Sequence, residues 1–134
     1  MVLIAWAQGG SAPRRHRRSA RFALTRTGGH IPDGVLLATA AQDVTGAPAV
    51  AFDGLRWLVV WIERTGASRS RYTWNPRAVA IGEDGTVLDA TPRLLASDVS
   101  TAPAAASTGD GRVLVVFGQP SGGRTAVRAM LVTP

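Results

Sequence analysis

No cysteine occurs anywhere in the 134 residues. That excludes disulfide staples and any thiolate metal site, and it leaves the redox compartment open. Lysine is absent too: all fifteen basic side chains are arginine, and with nine acidic residues the net charge is +6. Beside abundant Ala, Gly, Pro and Val, an all-arginine set reads first as the codon bias of a G+C-rich genome. Histidine occurs only as His16 and His30, without metal-ligand spacing. No Gly-x-Ser-x-Gly elbow, His-Glu-x-x-His or phosphate-binding glycine loop is present. No apolar run approaches the roughly 20 residues that a membrane-spanning helix needs. The apolar opening Met1–Trp6 is short, lacks basic residues before it and has them after it, so a signal peptide is not expected. No helical stripe of useful length appears.

Apolar residues make up 46% of the chain, too many for a disordered one. Fifteen Gly and eight Pro are scattered among them, as suits many short strands joined by turns. The most informative stretch is 48–61, in which Ala49–Phe52 is followed by the turn dipeptide Asp53-Gly54 and then by Arg56-Trp-Leu-Val-Val-Trp-Ile62. Alternation puts Trp57, Val59 and Trp61 on one face and Leu58, Val60 and Ile62 on the other. Both faces are apolar, which places this strand in a sheet covered on two sides.

The unit recurs. Asp43-Val-Thr-Gly-Ala-Pro-Ala49 returns 55 positions later as Asp98-Val-Ser-Thr-Ala-Pro-Ala104, with five of seven residues identical. Trp57-Leu-Val-Val-Trp61 returns as Val113-Leu-Val-Val-Phe117 and is foreshadowed by Val2-Leu-Ile-Ala-Trp6. With strand types lettered a to d, type a is expected at 48–52 and 103–107, and type b at 2–7, 57–62 and 113–118. Type c is expected at 20–25, 72–81 and 125–132, and type d at 34–40 and 86–95. The b–c connections (8–20, 63–71 and 119–124) read as long polar loops, and Glu83-Asp84-Gly85 reads as a hairpin turn. The order is b-c-d, a-b-c-d, a-b-c.

Four antiparallel strands per repeat, with a central strand apolar on both faces, is the pattern of a β-propeller blade. The series Pro-x-Val-Ala-Phe-Asp-Gly-x-x-Trp-Leu-Val-Val-Trp, followed by Arg-x-Val and Asp-Gly-x-Val-Leu-Asp, resembles the tandem repeats of large secreted proteins of soil bacteria with G+C-rich genomes. The match is good over 48–104, fair over 105–132 and degraded over 1–40, where the turn before strand d is Pro32-Asp33-Gly34. The resemblance implies an all-β propeller architecture, an extracellular or cell-surface setting, and a binding or scaffolding role without catalysis or cofactor. It divides the chain into an incomplete blade (1–42), a complete one (43–97) and a second incomplete one (98–134). About two and a half blades cannot close a ring, so a segment of a longer protein is expected in preference to a protomer that closes by association. Open blade faces would favour self-association.

Three chemistries compete with that role. The cluster Arg14, Arg15, Arg17 and Arg18, with Arg21 close behind, can attract nucleic acid or acidic polysaccharide. It lacks accompanying aromatics or a helix, and as a solvated loop it needs no ligand. Trp74, with Tyr72 beside it, is the candidate exposed aromatic contact; its structural alternative is packing against its own sheet. Some propellers are sialidases with a tyrosine nucleophile and Ser-x-Asp-x-Gly-x-Thr-Trp boxes, but residues 67–74 share only Thr73-Trp74 with that box. The acidic residues Asp43, Asp53, Glu83, Asp84, Asp89 and Asp98 fall at repeat-related turns, where capping is their expected task. No enzyme is expected.

Overall fold

The computed structural model describes residues 2–9, 18–25, 35–36, 43–68 and 71–134. These form an all-β structure of antiparallel sheets, with no helix among the described residues. The first sheet contains β1 (Val2–Gly9), β2 (Arg18–Thr25) and β3 (Val35–Leu36). The middle sheet contains β4 (Asp43–Phe52), β5 (Arg56–Ser68), β6 (Arg71–Gly82) and β7 (Arg93–Leu94). The third contains β8 (Ala104–Ser107), β9 (Val113–Ser121) and β10 (Arg124–Val132). Within each sheet, spatial order follows chain order, so every connection inside a sheet joins neighbours.

Tight turns set these registers. Asp53 accepts hydrogen bonds at Oδ1 from the Leu55 and Arg56 amides, and its own amide donates to the Arg56 carbonyl at 2.9 Å. Gly54 stands at φ +105°, a conformation that a Cβ would oppose, and this turn brings Phe52 opposite Trp57. Asp84 does the same work after β6, accepting the Thr86 amide at 2.9 Å. The expected polar loop at 63–71 is largely ladder instead: β5 continues to Ser68 and β6 begins at Arg71. Likewise β9 runs to Ser121 and β10 starts at Arg124, joined by Gly122-Gly123, both at positive φ. Polar residues extend these strands because backbone pairing does not require apolar side chains once a hydrophobic centre has fixed the register.

Strand type d is shorter than expected. In the middle sheet it is a bridge between Ile81 and Val87 and then β7. Between them the Asp89 carboxylate takes the Ala80 amide at 2.6 Å, a side chain standing in for a strand, and Pro92 has no amide to offer. The remainder of expected strand 34–40, apart from β3, lies outside the described residues.

The middle sheet is packed on both faces. Val59, Trp61, Val79 and Ile81 bury against Leu3 and Ala20 of the first sheet, with Ala5, Ala7 and Trp57 completing that seam. Leu58, Val60, Ile62 and Ala78 bury against Val113, Val115, Phe117 and Val132 of the third. Leu58, Val59, Val60 and Trp61 have no solvent exposure. Each contributes roughly 1.5–3 kcal/mol by leaving water, so removing either flanking sheet would be costly.

The recurring Asp-Val-Thr/Ser segment locks each seam. Its first copy puts Val44 into the seam between the first and middle sheets, and its second puts Val99 into the seam between the middle and third. The second copy is hydrogen-bonded to both of its neighbours. The Val99 amide donates to the Trp74 carbonyl at 2.8 Å, and the Ser100 amide donates to the Gly118 carbonyl at 2.8 Å.

Candidate functional site

An open cleft of about 250 Å³ lies where that crossing segment passes between the middle and third sheets. Ile62 and Val99 form its buried apolar floor, the half-buried Trp74 a wall, and Ser100 and Thr101 an exposed hydroxyl rim. Its shape follows from local sequence. In β4 the register jumps between Thr45 and Ala49, and Gly46 sits at φ +70° within this bulge. A Cβ on Gly46 would stand 3.3 Å from the Ala102 Cβ, so the crossing segment passes close because no side chain intervenes. Thr101 Oγ1 accepts the Gly118 amide at 2.7 Å and is thereby committed to the fold. The Ser100 side chain is exposed. An indole wall, an apolar floor and a hydroxyl at the rim suit a small amphipathic group such as a sugar ring or a peptide side chain.

A buried polar chain occupies the opposite face of β5 and β6. Glu63 is buried; its Oε1 accepts the Arg77 Nε–H at 2.7 Å and its Oε2 accepts the Trp61 indole N–H at 3.3 Å. Asn75, also buried, donates through Nδ2 to the hydroxyls of Thr65 and Thr73 and accepts the Asp98 amide at 3.0 Å. Asp98 is held there at φ +56°, a position that Asp tolerates better than most residues. The sequence placed Glu63 in a loop and passed over Asn75. Register offered a signal for the arginine: Arg21, Arg77 and Arg128 stand directly opposite Trp6, Trp61 and Phe117 in their respective sheets.

The other residues singled out by sequence do not converge on one place among the described residues. Arg14, Arg15 and Arg17 lie outside the described residues. Arg18 opens β2 opposite Gly9 rather than lying in the expected loop, and Arg21 is half-buried within that strand, where type c was expected. Tyr72 lies in β6, two positions before Trp74, and its side chain is not among those described. Trp74 packs on the seam with the third sheet and also lines the cleft, so both of its expected roles are compatible with its position. Asp53 and Asp84 cap turns as expected, whereas Asp89 bonds a strand amide instead. Among the described residues no group of three or more His, Cys, Asp or Glu lies together as a metal site would require. No family model matches this chain, and neither the curated proteins nor the solved structures contain a match to it.

Proposed function

We propose that this chain is a non-catalytic binding or scaffolding module whose three sheets are blades of a β-propeller, part of a secreted or cell-surface repeat protein. The observation that carries the proposal is the covering of the middle sheet on both faces by sheets of like strand pattern, each seam locked by a copy of one motif. Stacked blades bury their strands in this way, and two-layer sandwiches leave one face of each sheet wet. The ligand surface is the cleft beside Trp74, because binding sites gather where packed units meet and their loops converge.

The test is a titration of the protein with a panel of mono- and disaccharides and short peptides, followed through the indole ¹H–¹⁵N signals. A ligand of this cleft moves the Trp74 signal, leaves that of buried Trp61 in place, and is recovered unchanged. Turnover of any glycan that disappears in Tyr72→Phe would replace this function with a hydrolytic one. Retention on heparin above physiological salt, lost when Arg14, Arg15, Arg17, Arg18 and Arg21 become Ser, would replace it with polyanion binding.

A further inference from the structure

The outward face of the third sheet has no covering layer among the described residues. Val113, Val115 and Phe117 point inward to the middle sheet, so Leu114 and Val116 point outward, with Leu131 and Ala129 opposite them on β10 and Ala106 and Ala104 on β8. Every outward position of these three strands is uncharged, and Thr125 alone carries a polar side chain. Leu131 is 49% exposed and Val127 78%. A sheet face meant for water alternates in polar residues, and an exposed one of this kind is normally broken by charge. This one is not.

Register identifies what the face is built to meet. Leu114, Val116, Ala129, Leu131, Ala104 and Ala106 hold the ladder positions that Leu58, Val60, Ala78, Ala80, Ala49 and Ala51 hold in the middle sheet. In the middle sheet that face buries the Val113, Val115 and Phe117 face of the next sheet. In the first sheet the same kind of face, Leu3, Ala5 and Ala7, buries the Trp57, Val59 and Trp61 face of the next. Both internal seams therefore join one type of surface to one type of partner. Among the described residues the partner surface without a covering layer is the far side of the first sheet, where Ile4 and Trp6 occupy the positions of Val59 and Trp61 and lie opposite to the Leu3, Ala5, Ala7 face.

We propose that the outward face of the third sheet is covered by the far face of the first sheet of a second copy of this chain, head to tail, continuing the stacking seen inside each molecule. The proposal rests on reading the sheets as blades. The contact is heterologous, joining different surfaces of the two copies. The described residues of two copies supply six sheets, within the four to eight blades of a typical propeller ring, and closure would use the contact twice.

Sedimentation equilibrium of the intact chain across the micromolar range tests it. The expected species has twice the chain mass. Leu131→Glu on one face and Ile4→Glu on the other should each raise the dissociation constant about 30-fold or more, the size of a buried hot-spot loss. Mixing the two variants should give a one-to-one dimer tighter than either variant forms alone, held by the one contact in which both faces are unaltered and open at the other, where both carry glutamate. Leu131→Ser serves as the milder variant, and the β-sheet circular dichroism of each variant verifies folding. A monomeric wild-type chain overturns the proposal. So does an Ile4→Glu variant that is folded and dimerises like the wild type, which would mean that third-sheet faces pair with each other. Hydrogen exchange on the same samples separates the two levels: a monomer with strongly protected β5 amides defeats the second copy alone, and unprotected β5 amides defeat the stacked-blade reading as well.

Discussion

Asp53 shows how much of this fold hangs on single turn residues. Its buried carboxylate holds two backbone amides and lies 3.6 Å from the Arg56 guanidinium. Asp53→Ala strands those amides and should lower stability by about 1–2 kcal/mol in urea unfolding, with Asp53→Asn milder because an acceptor oxygen remains. Glu63 and Arg77 are a different case, since here both members of an ion pair are largely out of water. Glu63→Ala leaves a guanidinium mostly out of water beside the first sheet and should cost about 2–4 kcal/mol. Replacing both, Glu63→Leu with Arg77→Met, should recover most of that loss, because the desolvation cost disappears with the charges. Asp110 is a third case, fully on the surface. The Arg112 guanidinium and the Thr108 hydroxyl hold its carboxyl well below the usual Asp range. A carboxyl lowered in the folded state favours folding above its unfolded pKa, and this contribution fades as pH falls through the folded value. Carboxyl ¹³C titration should show Asp110 ionising below the other exposed Asp residues and moving up toward them in Arg112→Gln.

Among the elements, β5 is the one whose environment differs most from an ordinary strand. Its adjacent residues Val59 and Val60 are both fully buried, in different seams. Val59→Thr and Val60→Thr should therefore destabilise alike, by about 1–3 kcal/mol, each burying a hydroxyl without a dedicated partner. A strand with one wet face would tolerate one of the two. The same alternation was readable from Trp57 to Ile62, because a period of two with no polar phase has few structural solutions. The outer end of β5 was not readable, whereas β6 begins within one residue of the expected 72. Glu63 and Thr65 look like loop residues in sequence, and they are strand residues because the ladder begun by the apolar centre carries on through them to Thr73 and Asn75. Strand type d was overestimated for the converse reason: in the middle sheet the Asp89 carboxylate replaces backbone pairing that composition alone would assign to strand.

Over the whole molecule, protection should follow the layering. Amides of 58–62 and 78–81, which lie in the sheet packed on both sides, should exchange most slowly, and those of β10, whose outward face is open among the described residues, faster. Uniform protection across the three sheets of the monomer would contradict this gradient.

What the sequence by itself determined was the local grammar. Asp-Gly turns, the doubly apolar b strands and the 55-residue recurrence of Asp-Val-x-x-Ala-Pro specify antiparallel strands and which side chains share a face, since turn chemistry and a two-residue period act within a few residues. Only the tertiary structure decided which face meets which sheet and that Val44 and Val99 plug the seams. It alone opened the cleft beside Trp74 and brought Glu63, Arg77 and Trp61 together. Those outcomes depend on contacts between segments far apart in the chain, and burial, not propensity, sets them.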